Sequence, residues 1–215
     1  GCGSGSGENI EPETGRGAIN FRIEWPEQTR LIPEGANSIK ITLAGPSTVE
    51  RVVPRPASGQ TVSAVSISGL IVGNYNITSK AYPSLDASGV AQAQGFSAVV
   101  ITKDQTSSAS LSMASTISSV SVIGANTVGV GTSSQIMGSA KDAAGNTVIS
   151  SNGNWQWGSS NSSIATVSAS GNPAVVTGIN EGSVVITGTE VESGKKVTFN
   201  IESAYDKGIL DLDIQ

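Results

Sequence analysis

From Asn154 the chain places Trp155 and Trp157 before a Ser/Asn-rich stretch, then Ile164-Ala165-Thr166-Val167, a turn, and Val175-Val176-Thr177-Gly178. After Ile179-Asn180-Glu181-Gly182 comes Val184-Val185-Ile186. Each apolar run closes on Gly, Asn or Ser within a few residues. A helix needs apolar side chains at three- and four-residue spacing over about ten positions or more. These runs are too short for that. Many short strands at regular spacing, separated by turn residues, fold as a β-sandwich.

The first half carries the same grammar. Ile19, Phe21, Ile23 and Trp25 alternate with Asn20, Arg22 and Glu24, a period of two with one apolar face. Pro26 and Pro33 end that strand. Ile39, Ile41 and Leu43 alternate with Lys40 and Thr42, and residues 49 to 53 form a third strand closed by Pro54-Arg55-Pro56. Val65 and Ile67 lead to a turn at Gly69-Leu70-Ile71-Val72-Gly73, after which Tyr75, Ile77, Ser79 and Ala81 share a face. Segments 89–102 and 107–113 complete the unit, with Leu111 and Met113 inward and Ser110 and Ser112 outward. In the second half the strands are 118–123, 133–140, 154–157, 163–168, 174–179, 183–190 and 195–202. Asp142-Ala143-Ala144-Gly145-Asn146 makes a turn. The pattern predicts Trp157 as a core wedge between sheets with Trp155 on the same face unless a bulge intervenes, the alternative being that one of the two forms a platform on which a glycan stacks.

The expected fold is all-β: two tandem Ig-like antiparallel β-sandwich domains. Residues 1–16 are a flexible Gly/Ser arm, 17–115 the first domain, 117–202 the second, and 203–215 a C-terminal strand or tail. The short connection between domains predicts an end-to-end pair with restricted bending.

The wording Trp157-x-Ser-Ser-x-x-Ser-Ile-Ala-Thr-Val-Ser, followed by Val176-Thr-Gly-Ile-x-x-Gly-x-x-x-Ile-Thr, resembles the bacterial Ig-like domains (group 2 type) repeated in surface adhesins. That resemblance covers residues 117–202 and implies a cell-surface location with a structural or adhesive role. More faintly, Gly69-Leu-x-x-Gly-x-Tyr75 resembles prealbumin-like or fibronectin-like surface modules over residues 17–115.

Composition and chemistry narrow the function. Charged residues make up 13% of the chain and the net charge is −5, against the roughly 25% charged residues usual in globular proteins. A polar surface built of hydroxyls suits an extracellular β protein, and no basic stripe exists for nucleic acid. No apolar run reaches the length of a membrane span. The chain has no histidine, which removes the usual general base and the Ser-His-Asp and Cys-His nucleophile systems. The acids are scattered through turns, so the reading is not an enzyme, with no cofactor. Asp211, Asp213 and the Asp142/Asn146 turn offer oxygen ligands, but too sparsely for a calcium loop. Asn200 faces outward and no first-strand Lys faces inward, which argues against an internal Lys–Asn cross-link. Asn76 and Asn161 open N-glycosylation patterns, read as chance in a bacterial chain.

Both ends carry a signal. Cys2 is the single cysteine and cannot form an internal disulfide. It is either an exposed thiol in a flexible head or a lipid-attachment site: Gly1-Cys2 and the Gly/Ser linker behind it resemble the start of a bacterial lipoprotein. At the other end, Leu210, Leu212 and Ile214 alternate with Asp211 and Asp213. That is a strand with one apolar face, and it needs a sheet edge. The edge belongs to the same chain, to a further domain, or to a neighbouring copy, the last being β-strand addition.

The function expected is a non-enzymatic extracellular or cell-surface structural or adhesive protein, a tethered stalk or a fibre subunit joined head-to-tail by strand addition. Its partners are other copies of itself (a homopolymer) or other surface proteins and glycans, with no nucleic acid and with membrane contact only through a lipid anchor at Cys2. The alternative is a carbohydrate-binding module of a surface lipoprotein.

Overall fold

The computed structural model describes residues 15–25, 35–57 and 60–205. Among them no α-helix occurs, and a single 3-10 turn, Asn152–Asn154, interrupts the strands. The protein is all-β.

Strands β1 (Arg16–Glu24), β2 (Ser38–Ala44), β3 (Thr48–Pro54), β4 (Val62–Ile71), β5 (Gly73–Tyr82), β6 (Ala93–Ile101), β7 (Thr106–Ala109) and β8 (Ala114–Ser115) build the first pair of sheets. One sheet runs β4-β1-β7 and the other β3-β2-β5-β6-β8. The period-two runs face each other across a core of Ile19, Phe21, Ile23 and Trp25 from one side and Ile39, Ile41, Leu43, Tyr75, Ile77 and Ala81 from the other. Their alternates Asn20, Arg22 and Glu24 are exposed. Burying a Leu, Ile or Phe side chain contributes about 1.5–3 kcal/mol, so one such strand carries several kcal/mol in its inward face.

The Gly69–Gly73 turn is tighter than its glycines suggest. Strand β4 continues to Ile71 and β5 starts at Gly73, leaving Val72 alone between them. Gly69, with φ +74°, sits inside β4 where the register with β1 slips between Gly17↔Leu70 and Ile19↔Ile67. It serves a bulge, for which glycine tolerates the left-handed conformation.

Strands β9 (Ser119–Gly124), β10 (Thr127–Gly129), β11 (Ser133–Lys141), β12 (Thr147–Val148), β13 (Trp155–Ser159), β14 (Ala165–Val167), β15 (Ala174–Gly178), β16 (Gly182–Glu190) and β17 (Lys195–Ala204) build the second pair. One sheet runs β10-β17-β16-β13 and the other β12-β11-β15-β14, with β9 also on β11. Their core joins Ile117, Val128, Ile136, Ala140, Val148, both tryptophans, Val176, Val184, Ile186 and Ile201.

Neither pair is wholly antiparallel. β1 runs parallel to β7, and β10 parallel to β17. In the first pair the partner is the four-residue β7 and in the second the ten-residue final strand β17, and in each the intervening chain supplies the crossover that a parallel pair requires. The segment read as one strand over 107–113 is also divided. Pairing with β1 stops at Ala109; the chain then crosses to the other sheet, where Ala114–Ser115 pair with Gln94 and Ala93. Met113 is buried and Leu111 half-buried as the alternation predicts, with Ser110 and Ser112 exposed.

Candidate functional site

The aromatic pair lies at the centre of the second core. Trp155 and Trp157 are 1% and 6% exposed, and their rings stack 5.5 Å apart at 17°. Two side chains spaced i, i+2 on β13 share one face, which is what the alternation predicts. The Trp157 indole Nε1 donates to Gly171 O at 2.8 Å, so its one polar group is satisfied. Gly138 gives Trp155 its room: a Cβ there would meet the ring. Trp25 is likewise spent on packing, 3% exposed and donating from Nε1 to Ser63 Oγ at 2.9 Å, with the Arg55 guanidinium 5.5 Å from its ring centroid. None of the three tryptophans offers a face to a sugar. The largest exposed rings are Phe96 and Tyr205, and they lie in different units.

Between the two cores the chain makes a joint. The buried Gln92 donates from Nε2 to Ile149 O at 2.7 Å, across the boundary. Val90 packs against the second core although it precedes β6 in the first unit. The linker itself is tied at both sides: Thr116 donates through its hydroxyl to Ala91 O and through its N–H to Gln92 O, and Ser118 N–H donates to Lys141 O. Just inside the second unit, the fully buried Glu190 accepts from Ser150 Oγ at 2.7 Å and from the Ser193 N–H and hydroxyl. A buried carboxylate needs such donors, and here they fasten the β16–β17 turn to the residues beside Ile149.

The third feature is an open edge. β1 pairs with β4 as far as Glu24↔Val62, but with β7 only as far as Phe21↔Ala109. Opposite β4, the edge at residues 22–24 has no strand partner among the described residues. Alongside it opens a groove of about 830 Å³ whose apolar wall includes Phe21, Ile23, Ile39, Leu111 and Met113. On the outer rim Arg22 Nε lies 3.0 Å from Glu24 Oε1.

The sequence-derived sites fall as follows. Cys2, Leu210, Leu212 and Ile214, and with them Asp211 and Asp213, lie outside the described residues. Asp142 is committed to its own turn: it accepts from the N–H groups of Ala144 and Asn146 and from Asn146 Nδ2. The Asn146 side chain, with these N–H donors, holds its carboxyl below the ordinary carboxylate range. Among the described residues no cluster of three or more acids, cysteines or histidines comes together. Asn76, Asn161 and Asn200 are all exposed. Missed from sequence were Gln92, Glu190 and the bare edge of β1. Glu190 carried a signal, since it continues the inward series Val184, Ile186, Gly188 on β16.

These features define an all-β protein of two sheet pairs joined by a hydrogen-bonded linker. No protein-family model matches the sequence, and no curated protein matches it. Among solved structures it is similar to domains 4 and 5 of the S-layer protein SbsC, at 18% identity and a TM-score of 0.36, covering 64% of this chain and 69% of that one. A longer SbsC fragment, domains 4–9, is 16% identical with a TM-score of 0.38, over 80% of this chain and 22% of that one. A C-terminal intimin fragment in complex with the intimin-binding domain of its translocated receptor is 14% identical with a TM-score of 0.33, over 79% of this chain and 52% of that one. The β-glucuronidase of Parabacteroides merdae scores 0.32 at 12% identity, over 78% of this chain and 21% of that one. Likenesses at this level run from an S-layer protein and intimin to a β-glucuronidase, and they assign no function.

Proposed function

We propose that this chain is a non-enzymatic structural or adhesive protein of the bacterial cell surface, a spacer that works by its shape. The observation that carries this reading is the joint: Gln92, Val90 and Thr116 tie two sandwiches into one unit. The hydroxyl-rich, weakly charged surface and the Ig-like wording of residues 117–202 support the location. Lipid attachment at Cys2, with the Gly/Ser arm as tether, places the spacer on a membrane surface, and strand addition by residues 209–214 links copies into a fibre. The carbohydrate-binding alternative is disfavoured by the burial of every tryptophan.

The test uses the bacterium that carries the protein. Antibody raised against the folded chain labels intact cells, and radiolabelled palmitate enters the chain but not its Cys2→Ala variant. Labelling only after cell lysis, or palmitate retained in the variant, overturns the surface reading or the anchor respectively.

A further inference from the structure

We propose that the groove beside residues 22–24 of β1 receives residues 209–214 of a second copy of this chain. The inference deepens the strand-addition reading and rests on it. The acceptor has the two properties a strand needs. Backbone groups of successive residues point to opposite sides of a strand. Ala18 N–H donates toward β7 (to Gln105 O), and Trp25 N–H toward β4 (to Thr61 O). Arg22 and Glu24 share the parity of Ala18, so their backbone groups point toward the open side, past the end of β7 at Ala109. Below that edge the groove presents Ile23, Ile39, Leu111 and Met113.

The donor matches both. Residues 209–214 put Leu210, Leu212 and Ile214 on one face and Asp211 and Asp213 on the other. With the apolar face turned into the groove, the aspartates lie on the outer face of the sheet beside Arg22, whose side chain is 69% exposed. Glu24, paired with Arg22 at 3.0 Å, shares that face, so the register that sets the aspartates opposite Arg22 is favoured over one that sets them opposite Glu24.

Reach decides whose tail it is. The groove lies at the end of the first unit nearest the joint: Met113 is four residues from Ile117, and Gly35, just before β2, lies against Ser151 of the second unit. β17 begins at Lys195 opposite Glu190, on the joint side, and carries the chain ten residues to Ala204. That is about 30 Å away at ~3.3 Å per residue. The four residues 205–208 can span at most about 13 Å, too little to bring 209–214 back to the groove of their own chain. A second copy has no such limit. A head-to-tail contact of this kind repeats from copy to copy and grows an open chain.

Sedimentation velocity and hydrogen exchange on the intact chain test this, with multimers growing with concentration as the expected behaviour. The variant Leu210→Asp, Leu212→Asp, Ile214→Asp stays monomeric. Arg22→Asp weakens assembly at least tenfold, and adding Asp211→Arg and Asp213→Arg to it restores assembly. On assembly the amides of Arg22 and Glu24 gain protection, while that of Ile23, directed toward β4, does not change. Multimers that form with all three apolar tail residues replaced sink the proposal. Unaltered exchange at Arg22 and Glu24 within a tail-dependent multimer refutes the groove but leaves strand addition standing. A wild-type chain that stays monomeric at every concentration removes both and leaves the tethered spacer untouched.

Discussion

The two units solve one packing problem with different side chains. The first fills its interior with branched aliphatics, Phe21, Tyr75 and the single indole of Trp25, and β7 leaves β1 at Ala109, so that among the described residues part of an edge and a groove stay open. The second fills the space between its sheets with two stacked indoles backed by Gly138 and Gly188. Where the first unit changes sheets near its end, from β7 to β8, the second does so at its start, pairing with β11 as β9 and resuming beside β17 as β10. Similar alternation patterns fix the faces of strands but not where a sheet stops. Stopping early is what leaves the first unit with a surface able to accept another strand.

The largest effect is expected from removing the central ring of the second core. Trp155→Ala should cost about 3–5 kcal/mol and lower the second unit's melting transition while leaving the first in place. Ile41→Ala, fully buried in the first core, should cost about 2–5 kcal/mol and do the reverse. Calorimetry showing both transitions moving together in either variant would mean that the units do not unfold separately.

A smaller effect sharpens the account of the indole pair. Gly138→Ala puts a methyl against the Trp155 ring and should cost about 1–3 kcal/mol by overpacking. Combined with Trp155→Ala the same methyl enters a cavity, so the two losses should sum to more than the double variant shows. Strict additivity would remove the close contact from the explanation.

The joint gives a third. Glu190→Ala leaves the Ser150 and Ser193 donors without their acceptor and should cost about 1–3 kcal/mol. Gln92→Ala should cost near the low end of that range, because its Oε1 has no partner to lose. An unchanged melting curve for Glu190→Ala would remove the carboxylate from the account of the joint.

The smallest effect is electrostatic. Asp142 is held below the ordinary range by Asn146, Asp86 by Ser88, and Glu50 by Lys40 at 2.9 Å. A depressed carboxyl contributes stability that is present above its unfolded value and lost as pH falls through the folded one. Stability should therefore be flat above about pH 5 and decline below about pH 4, and Asp142→Asn should soften that decline. Asp86 and Glu50 are exposed and Asp142 is half-buried in a surface turn, so the change is slight.

Much of the fold was legible because burial and alternation coincide. In β1, β2, β5 and β16 the inward residues are those the sequence pattern assigns, and both indoles point where their spacing places them. β8, β10 and β12 were not legible, since two or three residues hold no period. The bare edge of β1 was hidden for another reason. It depends on where a strand more than eighty residues later turns away, and nothing local records that. Gln92 sits between two alanines, with no mark of the carbonyl it reaches across the joint.

A stiff spacer needs a joint that holds its two sandwiches in one arrangement. Spin labels at Arg51 and Thr198, both exposed and one in each unit, placed in a Cys2→Ser background and read by pulsed electron resonance, test it directly. The account predicts one narrow distance distribution in the intact joint and a broader one in Gln92→Ala. A distribution already broad with Gln92 in place would contradict it.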